Sequence, residues 1–218
     1  MLKEYFLNNP GRLIHKWMHY FEIYERHLER FRNKEVHMLE IGVFHGGSVQ
    51  MWKEYLGPKA HIYGVDVMPR AKALEEDRVK IFIGDQSDPA FLATLKRDIP
   101  RVDILLDDGG HAMNQQIVTF QELFQHVADD GIYLCEDLHT SYWPEYGGGL
   151  RREGSFIEFS KKLIDQLSAW HTRNPEFHEV DDFTLSAHSM HFYDSMLVIE
   201  KRRMEPPVDR KTGTPSFR

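Results

Sequence analysis

Five short strand-like runs, each closed by an acid or a glycine, confine the first two thirds of this chain to an open α/β sheet. They are Val36 to Ile41 before Gly42, His61 to Val65 before Asp66, Val79 to Ile83 before Gly84-Asp85, Val102 to Leu106 ahead of Asp108, and Ile132 to Cys135 ahead of Glu136-Asp137. Runs this brief between turn signals fit strands buried on both faces, as in parallel sheets. Between the last two, Ile117, Phe120, Phe124 and Val127 recur at helical spacing from about Asn114 to Asp129, and Asp130-Gly131 ends the run. The spacing predicts one crossover helix. Strands joined in this way are parallel neighbours, so their carboxyl ends converge where open α/β sheets build their sites.

Asp108 and His111 follow the fourth run, and Glu136 and Asp137 follow the fifth. Singly, each has an ordinary explanation. A strand-end Asp usually caps a helix or forms a turn, and adjacent acids usually mark a solvated loop. Here the acids follow buried runs directly, and two carboxylates held there repel unless a cation or a proton neutralises them. Asp108, Glu136 and Asp137 therefore read as an oxygen cage for a metal, with His111 beside it as a base. An all-carboxylate set suits Mg²⁺ or Mn²⁺. Zinc fits poorly, since Cys135 is the only thiol and His188 and His191 lie in a strand-like segment. A nonhaem iron site would need His111 together with His139 and a carboxylate.

The first run continues as LEIGVFHGGSVQMW. A strand ending in Glu40-Ile41-Gly42 passes through Gly46-Gly47-Ser48 into a helix carrying Val49, Trp52 and Tyr55, which exposes backbone amides to a nucleotide-like ligand. The Gly42-x-x-x-Gly46-Gly47 spacing departs from the dinucleotide fingerprint, which speaks against a nicotinamide oxidoreductase. Asp66 is placed to accept both ribose hydroxyls of an adenosine, and Asp85 to take an adenine amino group. Glu40, Asp66 and Asp85, on successive βα units, together suggest adenosine without a pyrophosphate. A protein that binds such a ligand without catalysis would gain nothing from the metal.

Beyond the cage comes His139-Thr140-Ser141-Tyr142-Trp143 and then Gly147-Gly148-Gly149. Aromatic faces stack on sugar rings, and a glycine run can hinge a lid. The segment reads either as an acceptor loop, with contacts at His139, Thr140, Tyr142 and Trp143, or as a surface loop whose Trp143 plugs the core edge. At the amino end, Ile14 to Phe31 places Trp17, Phe21, Tyr24 and Leu28 on one helical stripe that packs across the sheet edge or roofs the ligand. Near the other end, Phe183 to Leu185 and His191 to Glu200 read as late strands.

The remaining composition narrows the partners. Thirty-four acids against 27 basic residues give a formal net charge of -7, the wrong sign for gripping nucleic-acid phosphates. No repeat is evident, no apolar run approaches membrane-span length, and MLKEYFLNNP lacks the apolar stretch of a signal peptide. With a single Cys, a reducing cytoplasm and small-molecule substrates are expected. The expected organisation is one domain over residues 1–202, including an amino-terminal helical segment over 1–35, and an extended or disordered tail over 203–218.

LEIGVFHGGS, IYGVD, IGDQS, LLDDGGH, YLCEDLHTSYW and HFYDSMLVIEK, in that order, resemble the class I S-adenosylmethionine-dependent methyltransferases, specifically the metal-dependent macrolide sugar O-methyltransferases and their cephalosporin-pathway relatives. The likeness runs from about Trp17 to Lys201. It implies a Rossmann-like, seven-stranded, mostly parallel sheet with helices on both faces and an antiparallel last strand at His191 to Glu200. It further implies that Asp108, Glu136 and Asp137 bind magnesium, that His111 is the general base, and that Glu40, Gly42, Gly46, Ser48, Asp66 and Asp85 hold S-adenosylmethionine. The implied acceptor is a hydroxyl of a sugar or glycosylated small molecule, a natural product or surface glycan, and the implied assembly is a homo-oligomer.

Overall fold

The computed structural model describes all residues except 175, 177 and 218. Strands β1 (Val36–Ile41), β2 (Ala60–Asp66), β3 (Val79–Ile83), β4 (Val102–Asp107) and β5 (Val127–Cys135) run parallel, and a hairpin of β6 (Ala187–Tyr193) and β7 (Met196–Lys201) completes the sheet. The order is β3-β2-β1-β4-β5-β7-β6, with β7 inserted antiparallel to both neighbours. This is the class I methyltransferase fold. Strand order reverses between β1 and β4, which opens a crevice at their carboxyl ends.

Both faces of the sheet are covered. Helices α1 (Leu2–Leu7), α2 (Tyr20–Leu28) and α3 (Gly47–Leu56) pack on one side, and α4 (Pro89–Asp98), α5 (Met113–Leu123), α6 (Phe156–Leu167) and α7 (Asp182–Ser186) on the other. Alternate strand residues feed the two cores: Ile104 and Leu106 join Tyr24 and Trp52, while Leu105 joins Phe120 and Phe156. Every residue of β4 is buried, which is why its central Ile104, Leu105 and Leu106 are apolar without alternation.

Four expectations about elements are corrected. The crossover helix ends at Leu123, and a 3₁₀ turn over Phe124–His126 leads into β5 at Val127. The buried Lys201 ammonium donates to the Phe124 and Val127 carbonyls at 3.0 and 2.7 Å and so satisfies the helix end. Val102 then pairs with Val127 but Ile104 with Ile132, so Asp129 and Asp130 bulge out from the start of a strand. Phe183 to Leu185 is helical rather than extended, because the Asp181 carboxylate accepts from the Thr184 amide at 2.8 Å in a capping box. The amino-terminal helix occupies only Tyr20–Leu28, and Trp17 lies outside it, 53% exposed. His191 to Glu200 is not one strand but parts of two, separated at Asp194-Ser195, where Ser195 takes φ 62°. The start of the tail is tied by Arg202 and Met204 amides donating to Ser186 and Leu185 carbonyls, and residues 205–217 have no helix or strand. Among the described residues, no helix is long and apolar enough to cross a membrane.

Candidate active site

Pairing of Ile41 with Asp107, and of Asp107 with Cys135, brings the ends of β1, β4 and β5 level. Gly42 turns away from β1 with φ 93°, and a Cβ there would lie 2.0 Å from the Asp108 carbonyl oxygen. Only glycine allows that approach. At the β4 and β5 tips, His111 with φ 58° and Asp137 with φ 56° adopt the left-handed backbone that side chains disfavour. Each costs on the order of 1 kcal/mol and persists only where its surroundings over-determine it. The Thr140 hydroxyl does so for both, lying 2.9 Å from the His111 carbonyl and 2.8 Å from the Asp137 carbonyl. Gln116 donates to the Glu136 carbonyl at 2.9 Å, and Gln86 accepts from the Gly110 amide at 2.8 Å.

The side chains so placed form one polar cluster. His111 Nε2 lies 3.3 Å from Asp137 Oδ2 and 4.0 Å from Asp108 Oδ1, and its buried Nδ1 has no hydrogen-bond partner. Asp108, His111 and Asp137 each offer a ligand atom within 4.8 Å of the others. Glu136 lies deeper, accepting from the Tyr24 hydroxyl and, through both oxygens at 3.0 Å, from Lys16 Nζ. The same ammonium is 2.5 Å from Asp108 Oδ2, with its side chain only 2% exposed. Burial works against that charge, but Asp108, Glu136 and Glu40 outweigh it and hold the Lys16 ammonium protonated above its ordinary range. Tyr20 lies 2.8 Å from Asp137 Oδ1, and burial pushes its phenol up. Asp108, His111 and Asp137 form an oxygen-rich set of the kind a hard divalent ion takes, while Glu136 lies outside that group, held by Lys16 and Tyr24.

A cavity of about 320 Å³ adjoins the cluster, with Gly42, Ser48, Asp66, Asp85 and Asp108 in its lining. Asp66 accepts from the Val43, Phe44 and Met68 amides at 3.2, 3.0 and 2.8 Å, which orients its carboxylate at the β2 tip. Asp85 is exposed, and the Ser87 amide, then the Ser87 hydroxyl, lower its carboxyl pKa. Two residues expected at the ligand do not line the cavity. Glu40 is fully buried beneath it, accepting from the Ser48 hydroxyl at 2.9 Å and the Trp52 indole at 3.0 Å, and burial raises its carboxyl to about 7 against the opposing Lys16. Gly46, with φ 79°, begins α3 beside Arg12 and Leu74.

On the opposite side of Asp137, His139 packs edge-on against Trp143 at 4.7 Å and Trp17 at 5.9 Å between ring centroids, and Trp143 continues to Tyr146. Trp143 is 43% exposed and Tyr142 is also exposed, so neither plugs the core. The glycines do not form a free hinge. A Cβ on Gly148 would lie 2.5 Å from the Ser141 and Thr140 carbonyl oxygens, and the Gly149 amide donates to Ser141 at 2.8 Å. Thr140 is buried beneath His111 rather than presented to an acceptor. His139 turns Nδ1 to the Ser195 hydroxyl at 2.5 Å and stays outside the Asp108-His111-Asp137 group, so the two-histidine iron site is not assembled.

Sequence reasoning passed over Lys16, Tyr20 and Gln86. Tyr20 shares the buried face of α2 with Tyr24 and was open to discovery by period. Lys16 lies in an irregular segment, and nothing in its neighbours marks it as buried.

Residues 39–138 match the family described as "Methyltransferase domain". Demethylmacrocin O-methyltransferase of Streptomyces fradiae is 35% identical over 204 residues, covering 87% of this chain and 51% of its own length. The Streptomyces olivaceus 8-demethyl-8-(2-methoxy-alpha-L-rhamnosyl)-tetracenomycin-C 3'-O-methyltransferase is 36% identical over 197 residues, 86% of this chain and 50% of that protein. A solved structure of MycE methyltransferase from the mycinamycin biosynthetic pathway, in complex with Mg and SAH, superposes with a TM-score of 0.81 at 32% identity, covering 93% of this chain and 54% of that one. The chain thus spans about half the length of the curated relatives it matches.

Proposed function

From the class I S-adenosylmethionine-dependent methyltransferase domain that this chain carries, we propose that it methylates a hydroxyl of a sugar or glycosylated small molecule, with S-adenosylmethionine as donor and Mg²⁺, or Mn²⁺, as the bound ion. One observation carries the reading: the donor-sized cavity ends at Asp108, and the same Asp108 faces His111 and Asp137. Asp108 thus belongs both to the cavity and to the cluster that contains the base. The rhamnosyl group named in a relative, and the Trp17-His139-Trp143-Tyr146 platform beside Asp137, support a sugar as acceptor.

The donor is held by the cavity. Asp66 accepts the ribose hydroxyls, Asp85 meets the adenine amino group, and Gly42 and Ser48 let the methionyl arm lie against the backbone. Glu40 acts from below by fixing Ser48. Asp108, Glu136 and Asp137 would hold the divalent ion, which when bound lowers the pKa of an acceptor hydroxyl and fixes its direction. His111 takes the hydroxyl proton on Nε2, and Asp137 at 3.3 Å stabilises the resulting imidazolium. The acceptor oxygen then forms its bond to the methyl carbon in line as the sulfur–methyl bond breaks, leaving a neutral thioether and a proton on His111. Positioning carries much of this rate, because the sulfonium is already a good leaving group. Tyr20 and Thr140 keep Asp137 and His111 aimed.

In this reading the enzyme works in the reducing cytoplasm on a natural product or surface glycan and forms a homo-oligomer. The test is incubation with S-adenosylmethionine and a panel of rhamnosides and macrolide glycosides, with magnesium and after chelation, followed by mass spectrometry. A one-methyl mass gain that chelation abolishes is expected. Rates untouched by exhaustive chelation, or no binding of S-adenosylhomocysteine in calorimetry, would overturn the proposal.

A further inference from the structure

The proposed chemistry leaves Lys16 without a task. Its ammonium touches Asp108 at 2.5 Å and both Glu136 oxygens at 3.0 Å, two of the three carboxylates assigned to the metal. A divalent ion and an ammonium cannot occupy that space together. Lys16 also belongs to the stretch Leu13, Ile14, His15 and Lys16, which forms one wall of the donor cavity. That stretch is irregular, but its root is anchored. Arg12 donates to the Leu74 carbonyl at 3.0 Å, Asn9 donates to the Arg12 carbonyl at 2.8 Å, and a Cβ on Gly47 would lie 2.3 and 2.5 Å from the Arg12 and Leu13 carbonyl oxygens. Movement of the Lys16 side chain is therefore transmitted locally, to the cavity wall.

Resting on the metal-dependent reading above, we infer that Lys16 is an internal competitor for the divalent ion: it neutralises Asp108 and Glu136 until the metal displaces it, and the exchange couples metal binding to the donor cavity. The physical need is clear. Glu136 is fully buried beside Asp108, and without a cation the two charges would force each other toward protonation or apart. An ammonium supplied by the chain offsets part of that repulsion and holds the two carboxyl groups converging on one point, where a stronger ligand-seeking ion can replace it. The cost is competition, which sets the concentration at which the metal enters. By linkage, whatever the metal does to the Leu13–Lys16 wall, a donor seated there does in return to metal affinity.

Titration calorimetry tests this with magnesium chloride, and separately with S-adenosylhomocysteine in the absence and presence of saturating magnesium. The proteins are wild type, Lys16→Met, Lys16→Gln and Lys16→Arg, each first checked by thermal melting. The neutral variants are expected to bind magnesium about 10-fold more tightly, within the usual span of coupled sites, whereas Lys16→Arg keeps the charge and stays near wild type. Magnesium should change S-adenosylhomocysteine affinity in wild type and lose that influence in the neutral variants. Tightening cannot come from general damage, which would weaken the site. If Lys16→Met fails to melt cooperatively, Lys16→Gln, which can still hydrogen-bond both acids, carries the comparison. Equal or weaker magnesium binding by the folded neutral variants overturns the competitor role while leaving metal dependence intact. Absence of magnesium binding in every protein overturns both readings together.

Discussion

Glu40→Gln separates electrostatic cost from structural role at the base of the donor cavity. Glu40 is fully buried, and its carboxyl is lifted from an ordinary 4.5 to about 7 by burial, opposed by Lys16 and by donation from Trp52 and Ser48. The unfolded chain releases this proton near pH 4 while the folded chain holds it until about 7, so across that window folding takes up a proton and stability declines as pH rises. The rise corresponds to about 3 kcal/mol as a ceiling. The amide can keep the contacts: its oxygen accepts from the Trp52 indole, and its NH₂ donates to the Ser48 hydroxyl, which reverses its own direction. Relative to wild type, the variant should therefore gain stability steadily from pH 4.5 to pH 7.5 and level off above. Urea unfolding at half-unit pH steps measures this, with equal m-values in both proteins as the check on a two-state comparison. A stability difference that is flat across those steps would mean that Glu40 is ionised throughout, and the argument from burial would fail.

Other outcomes follow from single contacts. Gly42→Ala puts a methyl against the Asp108 carbonyl on a backbone with φ 93°, and should cost at least about 2 kcal/mol in urea unfolding. Lys201→Met leaves the Phe124 and Val127 carbonyls without their donor, and a loss of about 2 kcal/mol is expected in the same assay. His111→Ala should lower turnover about 10²-fold or more while S-adenosylhomocysteine affinity stays put, and unchanged turnover would remove His111 from the mechanism. Asp66→Asn should weaken S-adenosylhomocysteine by roughly 10-fold or more, as a charged acceptor at the ribose becomes neutral; calorimetry reads it directly.

The parts of this protein that repeat a local rule were legible from the chain. The five runs became β1 to β5, with β5 starting earlier than expected at Val127, because strands buried on both faces are mostly apolar and burial needs no knowledge of the partner. The elements that went astray were decided by a distant group. Lys201, far along the chain, ends the helix at Leu123 and turns Val127 into strand. Phe183 to Leu185 has the apolar look of a strand but follows Asp181, whose cap to Thr184 makes it a helix. That cap was readable in sequence and was outweighed by hydrophobicity. The Ser155 cap that starts α6 was equally local, accepting from the Glu158 amide at 3.3 Å.

At the site the division is similar. Sequence alone determined that Asp108, His111, Glu136 and Asp137 lie at neighbouring strand tips, since a parallel crossover leaves no other place for them. Only the folded structure decided which atoms face one another: that Glu40 drops below the cavity, that Thr140 props two strained residues instead of meeting an acceptor, and that Lys16 enters the acid cluster. Strand period fixes where a backbone ends, whereas the direction of a buried polar side chain is set by which distant charge or donor fills its last open hydrogen bond.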